Sequence, residues 1–456
     1  METKTAINWK KNTALFLGGQ AVTLIGSSLV GYAVMWYVTL ETKSGVVMTV
    51  FTIAVLLPTF FISPFGGVWA DRYNRKNLIN ISDGVIALVS LFIALCFSFG
   101  IASLTLLLVC SLARSLGQGV QMPAVNALLP QLVPAKHLVR VNSLNSIIQS
   151  VSMIGSPALS GVLLSLAPIQ VILFIDVVTA AIGISILYFF VRVPDKQPQC
   201  DDLEVGTGSA PAEAFSLEAN EAAGTSPITE LPAALPAADS EAQTESAEAS
   251  AESAGRSYWH EIRESIRYIR RNLFALHLLI YQGLTALLIT PCALLTPLQV
   301  TRDFGPDVWR LTAIEIAFSV GMIAGGGVLS LWGGFRNKIK TVGFGLILCN
   351  LLIISLGIMT NFALYVAVMA FIGIACPISS TPLISILQEK VDPEYMGRVF
   401  SFYTMMSSIA MPAGMVLFGP LADTISIDII LIITGIAGVA EVAIIAFDKT
   451  VIQAGK

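Results

Sequence analysis

The sequence predicts an all-α membrane protein: twelve transmembrane helices in two pseudo-symmetric six-helix bundles. Three observations carry this. First, 55% of the 456 residues are hydrophobic and only 12% charged, with a mean hydropathy of +0.77, far too apolar for a soluble globule. Second, the apolar residues fall in runs long enough to cross a bilayer, since about 20 residues rising ~1.5 Å each traverse the ~30 Å hydrocarbon layer. Third, the chain repeats itself. Pro123-Ala124, Pro134, Arg140-Val141, Ser143 and Pro157-Ala158 are echoed by Pro382, Pro393, Arg398-Val399, Ser401 and Pro412-Ala413, 255 to 259 residues later. Gly326-Gly327-Val328 before Arg336, Lys338 and Lys340 likewise repeats Gly66-Gly67-Val68 before Arg72 and Lys76. Two pseudo-symmetric halves have two near-equivalent packings, one open to each side.

Six spans are expected in the first half: Ala14 to Val38, Val46 to Ala70, Leu78 to Phe99, Ser103 to Met122, Leu138 to Leu166 and Pro168 to Val191. The first follows Lys4, Lys10 and Lys11, is too long for a signal-peptide core and lacks a small-residue cleavage site, so it reads as an uncleaved helix. The second and third are separated by Asp71-Arg72-Tyr73-Asn74-Arg75-Lys76, whose charges require a turn at the membrane surface. Residues 1–191 thus form the N-terminal bundle.

A cytoplasmic loop, 192–272, follows. Residues 197–255 hold 12 acids and no base in an Ala, Glu, Ser, Pro and Thr background that cannot bury enough apolar surface to fold, so disorder is expected. Residues 257–272 place Trp259, Ile262, Ile266 and Ile269 on one helical face and arginines on others, as an amphipathic helix lying on the membrane would. The C-terminal bundle, 273–456, has spans at Leu273 to Val300, Val308 to Trp332, Thr341 to Thr360, Phe362 to Glu389, Gly397 to Leu421 and Ile425 to Phe447.

Twelve spans put both termini on one side. With the N-terminus inside, 22 of the 26 Lys and Arg face the cytoplasm, three (Lys43, Arg302, Arg310) face outward, and Arg114 lies within a span. This bias fixes the expected orientation. Outside the acidic insert, 26 bases meet 18 acids, a balance suited to an anionic inner leaflet. The six cysteines have neither CxxC nor ligand spacing, so no metal, cofactor or disulfide framework is expected. No G-x-x-x-x-G-K-[ST] or other nucleotide signature occurs, and nothing points to nucleic acid or to enzymatic chemistry. An ion gradient is then the remaining energy source.

Such coupling needs ionisable groups inside the membrane, where each costs at least ~2.5 kcal/mol. Glu315, about two turns into the eighth span from outside, is the first choice for a proton or a cationic substrate; the alternative is a vestibule acid or a partner of Arg310. Asp176, in the sixth span, follows the same logic. Asp83 and Glu441 lie nearer the inner surface, where pairing between the halves or hydration is expected. His277, near the inner end of the seventh span, is a further candidate, against the alternative of an interfacial His with no function.

Gly67, Ala70, Asp71, Arg72, Arg75, Lys76 and Leu78 resemble the loop between helices 2 and 3 of the major facilitator superfamily, G-x-L-a-D-R-x-G-R-K-x-x-L, with Trp69 for Leu and Asn74 for Gly. Asn74 is expected to take the left-handed backbone of that Gly. Leu112-Ala113-Arg114 with Gln118 and Gly119 is similar to the superfamily's l-x-x-R-x-x-q-G, with Gln and Gly one residue late. Gly155-Ser156-Pro157-Ala158-Leu159-Ser160-Gly161 is similar to the antiporter motif G-P-x-x-G-G. Trp9-Lys10, Gly18-Gly19-Gln20-Ala21-Val22, the segment Pro123 to Pro130 and the segment Gln388 to Val399 look most like the bacterial macrolide-efflux branch.

The resemblance implies a proton-driven exporter of drugs or siderophore-like molecules in the bacterial inner membrane, working with small-molecule substrate, protons and the bilayer, as a monomer. It implies a proton-transfer role for Arg114, against the alternative of a helix-pairing arginine. It implies that Asp71 latches onto the N-terminus of the eleventh helix near Arg398, that Arg72, Arg75 and Lys76 add pairs on the inner face, that Gly67 lets helices approach, and that Pro157 and Gly161 bend and thin the fifth helix between the halves. An importer or lipid flippase on the same fold remains open, as does a sensor or docking protein that uses the acidic insert.

Overall fold

The computed structural model describes residues 9–101, 103–134, 137–193, 267, 269–391, 393–448 and 450. They form twelve long helices and, among the described residues, no strand. The first six are α1 (Trp9–Thr42), α2 (Gly45–Arg72), α3 (Arg75–Ser98), α4 (Leu104–Leu132), α5 (Leu138–Leu166) and α6 (Ile169–Ser185, prolonged by a π-helical turn, Ile186–Phe190). Then come α7 (Leu273–Thr290, continuing through a π-helical turn at Pro291–Leu295 into Thr296–Asp303), α8 (Val308–Trp332), α9 (Lys338–Leu356), α10 (Phe362–Lys390), α11 (Pro393–Leu421) and α12 (Ile427–Phe447). Eleven are long and apolar enough to cross a membrane. The other, α4, is 29 residues long but carries Arg114 and three glutamines, which lower its hydropathy. The acidic insert and most of the expected surface helix lie outside the described residues; Ile269 is buried in a cluster with Phe274, Ile339 and Ile445.

Local chemistry sets the helix ends. Asn74 is at φ −65° and ψ 112°, extended and not left-handed, because its side chain has a different task. Its Oδ1 accepts from the N–H groups of Lys76 and Asn77 and caps α3. Asn337 caps α9 in the same way. In the matching turn of the second half, left-handed backbone falls on Gly333 and Gly334, at φ +74° and +78°, which close α8. The π turn at Pro291 fits a proline that cannot donate its backbone hydrogen bond within a helix.

One end of the bundle carries the start of α1 at Trp9, the end of α12 at Phe447 and the α2–α3 turn; we call it the terminal face. The opposite far face carries the α1–α2, α7–α8 and α11–α12 turns. The halves meet along two seams near the far face, α2 against α11 and α5 against α8. Each seam is closed by a glycine against a threonine. A Cβ on Gly161 of α5 would lie 1.7 Å from Oγ1 of Thr312 on α8, and one on Gly419 of α11 would lie 1.7 Å from Oγ1 of Thr49 on α2. Small residues let helices approach closely in a membrane, where lipid offers no hydrophobic drive for association. Trp36 and Met48 of the first half are buried in one cluster with Leu311, Ile314, Met415 and Phe418 of the second, so apolar packing crosses the seams.

Candidate functional site

Toward the terminal face the halves part around a cavity with two lobes. One, of 560 Å³, is lined by α1, α4 and α5 through Gln20, Tyr32, Gln121, Asn126, Asn145 and Gln149 among others. The other, of 930 Å³, lies between α2, α4 and α11, with Thr59, Phe60, Gln118, Met122, Ser407 and Met411 on its walls. Neutral amides, hydroxyls, thioethers and rings dominate. Such a lining suits a large molecule with both polar and apolar surface.

Glu315 lies on α8 close to Tyr32 of α1, which lines the first lobe, so its charge acts across the interface between halves. Among the described residues it makes no hydrogen bond or ion pair. Arg310, its alternative partner from the sequence, donates to the Phe304 carbonyl and pairs with Asp307 at 3.0 Å. An acid at that depth without a protein partner is suited to take a proton or a ligand cation.

Two of the other candidates meet inside the first half. Arg114 of α4 and Asp176 of α6, 6% and 1% exposed, form an ion pair with Nη1 and Oδ2 2.5 Å apart. Ser90 donates to Asp176 Oδ2 at 2.7 Å, Ser27 to its Oδ1 at 3.2 Å, and Arg114 also donates to Ser90 Oγ. The cluster ties α1, α3, α4 and α6 together, which is the helix-pairing geometry for Arg114. Breaking such a pair from one side costs about 3–5 kcal/mol, because a buried charge is left alone.

Asp83 and Glu441 depart from expectation. Neither pairs across the halves nor sits in water; they are 2% and 3% exposed inside their own bundles. Asp83 accepts from Gln121 Nε2 at 2.5 Å and Glu441 from Thr285 Oγ1 at 2.8 Å. Each acid sits on a helix stripe facing neighbouring helices of its own bundle, which hydropathy alone does not reveal. His277 meets the Asp448 carboxylate at 2.6 Å, and Tyr281 donates to the same oxygen at 3.1 Å. Burial pushes the Asp448 carboxyl up, but the hydrogen bonds from His277 and Tyr281 outweigh it and hold the group below its ordinary range.

At the terminal face the described contacts of Arg75 and Lys76 fall within their own half. Arg75 donates to the carbonyls of Ala70 and Ala127, and Lys76 Nζ to those of Tyr188 and Val191, where α6 ends. Arg72 is exposed. A Cβ on Gly67 would meet nothing within 4 Å, whereas one on Gly66 would lie 2.8 Å from the Gly119 carbonyl; Gly66 makes the close approach here, against α4. Pro157 lies inside α5 and Gly161 at the α5–α8 seam. The side chains of Asp71 and Arg398 lie outside the described residues.

The far face holds an ionic latch that the sequence reading missed. Asp423, just beyond α11, accepts from Ser44 Oγ at 2.7 Å and from the N–H groups of Gly45 and Val46 at 2.7 and 3.0 Å, capping the N-terminus of α2 from the other half. Arg302 of α7 binds Asp423 at 2.7 Å and reaches the Lys43 carbonyl at 2.6 Å, so it bridges the halves. Ser44-Gly45 before an apolar run is a legible helix start. That its anion comes from the other half is visible only in three dimensions.

The family model of the Major Facilitator Superfamily matches residues 16–415. The chain is 26% identical over 423 residues to macrolide efflux protein A of Streptococcus pyogenes, covering 92% of each chain. In structure it is similar to a bacterial homologue of the iron transporter ferroportin in an inward-facing state, with a TM-score of 0.64, 13% identity and coverage of 95% of this chain and 98% of the other. It is likewise similar to a D-xylose–proton symporter, with a TM-score of 0.64, 12% identity and coverage of 97% and 99%. A model match of that length, on a helical fold with two six-helix bundles, makes this chain a multi-pass membrane transporter of the Major Facilitator Superfamily.

Proposed function

We propose that the protein exports amphipathic small molecules, macrolide-like in size and polarity, in exchange for protons. The observation that carries this is Glu315, an acid with no hydrogen-bond or ion-pair partner among the described residues, beside a large, neutral, polar-apolar cavity. The macrolide efflux relatives, matched over most of their length, support the substrate class and direction. With the termini cytoplasmic, as the bias of basic residues favours, the far face is the exterior and the structure is sealed outside and open inside. Residues 1–191 and 273–456 then rock about the cavity, joined by the loop 192–272, in a bacterial inner membrane. Substrate enters from the cytosol; a proton arriving from outside neutralises Glu315 and favours return of the carrier.

Two measurements test this. In proteoliposomes, macrolide addition should move protons for the wild type and not for Glu315→Gln; full retention of proton movement removes Glu315 from the scheme. In cells, expression should raise macrolide resistance, and accumulation of drug instead would reverse the direction.

A further inference from the structure

The buried interior of the first half holds more acid than base. Among its described residues, Asp83 and Asp176 are buried with a single guanidinium, Arg114, and that guanidinium is bound to Asp176. Asp83 is left with one neutral donor, the side-chain amide of Gln121. Among the described side chains its charged surroundings are few: Asp176 from α6 acts on it, Arg114 from α4 is engaged elsewhere, and Arg72 of α2 is exposed; the side chain of Asp71, also on α2, lies outside the described residues. Two ionised acids against one base would leave an uncompensated charge in the bundle core. Binding one proton is the inexpensive remedy.

We propose that Asp83 carries that proton and that Gln121 reports its presence to the substrate cavity; the reporting half of this inference rests on the proton-coupled reading above. Gln121 has the position for it, donating to Asp83 Oδ1 on one side and lining the cavity on the other. An ionised carboxyl only accepts, so it holds the Gln121 N–H and leaves the amide oxygen for the cavity. A protonated carboxyl has one O–H to give. Donated to Gln121 Oε1, it turns the N–H groups toward the cavity. The proton taken up on Asp83 comes from cavity water and returns there, so no other group changes protonation. Substrate therefore meets an acceptor or a donor at Gln121 according to the state of Asp83, and by linkage the bound substrate biases that state in return. Asp83 would be a proton-carrying site distinct from Glu315, and Gln121 a positioning residue.

The test needs no substrate. Infrared spectra of the full-length protein in liposomes at neutral pH resolve protonated carboxyl C=O stretches. The wild-type minus Asp83→Asn difference should contain one such band, and Asp83→Glu should restore it at a shifted frequency. Gln121→Leu should keep the band but move its frequency, because its hydrogen-bond partner is gone. If Asp83→Asn does not fold, the band shift in Gln121→Leu decides alone. A band unchanged in Asp83→Asn, or unmoved in Gln121→Leu, overturns the proposal. Failure of the transport scheme reads differently: a band that behaves as expected, with no proton movement in wild-type proteoliposomes, sinks antiport and leaves the proton on Asp83 standing.

Discussion

Replacing Asp423 with alanine should unlatch the far face. Burial pushes the Asp423 carboxyl up, but the hydrogen bonds from Val46 N–H, Ser44 Oγ, Gly45 N–H and Arg302 overcome it and hold the group at about 2, against an ordinary 3.8. A difference of roughly two units at ~1.36 kcal/mol each sets a ceiling near ~2.5 kcal/mol for the latch. Asp423 and Arg302 are 25% and 29% exposed, so solvent screening brings the contribution to about 1–2 kcal/mol. At ~1.4 kcal/mol per tenfold, the ratio of far-face-closed to far-face-open molecules should fall about 5- to 30-fold. A depressed carboxyl stabilises the latched form above the unlatched range and loses that contribution only as pH falls toward 2. The latch should therefore be indifferent to pH between about 5 and 8. Nitroxide labels at Leu166 and Thr424, read as a distance distribution by pulsed electron paramagnetic resonance, report the closed fraction. Arg302→Gln should move it less, since Asp423 keeps its three donors on α2. An unchanged distribution in Asp423→Ala, or a latch that opens between pH 5 and 8, would refute the reasoning.

Other perturbations separate packing from coupling. Gly161→Val places methyl groups where Thr312 Oγ1 already sits, so far-face closure should weaken by ~1–3 kcal/mol, with partial recovery in Gly161→Val/Thr312→Ala; the same label pair reads both. Arg114→Gln leaves Asp176 buried without its guanidinium and should cost about 3–5 kcal/mol in unfolding stability, much of it regained in Arg114→Gln/Asp176→Asn. Lys76→Met removes the donor to the last carbonyls of α6 and should lower thermal stability by about 1 kcal/mol while leaving the closed fraction where it was; a change in that fraction would return Lys76 to a gating role.

How far the sequence could be read depends on the range of the interaction concerned. Helix identity is local, and Val308–Trp332 is recovered to the residue from its apolar run. Length hid where α4 stops, because the sequence reading ended it at Met122 while the helix runs through Pro123 and Pro130 to Leu132. Position along a span was also legible: Glu315, Arg114, Asp176, Asp83 and Glu441 stand out as ionisable residues within apolar runs. Facing was not. A long span that is apolar on every side gives no amphipathic stripe to say which way its one acid points. The sequence could therefore not tell that Asp176 meets Arg114, or that Asp83 and Glu441 turn into their own bundles. Contacts between residues hundreds of positions apart, such as Asp423 with Gly45, were beyond reach for the same reason.

The two seams show what the duplication accomplishes and where it ends. Gly161 and Gly419 are 258 residues apart, Thr49 and Thr312 are 263 apart, and each glycine meets the threonine of the other half. One ancestral contact thus closes the far face twice, α5 on α8 and α11 on α2, as a two-fold relation between the bundles requires. Charge breaks the symmetry. The N-terminus of α8 begins at Asp307, an anion of its own chain segment that also pairs with Arg310. The N-terminus of α2 begins at Ser44 and takes its anion from Asp423 of the opposite half. By the same offset as the glycines, the position matching Asp423 is Ser165, whose hydroxyl donates to the Val162 carbonyl of its own helix. In the proposed rocking motion the α8 N-terminus would keep its anion, whereas the α2 N-terminus would lose Asp423. The α5–α8 seam can serve as a pivot of packing alone, while the α2–α11 seam carries the electrostatic cost of opening.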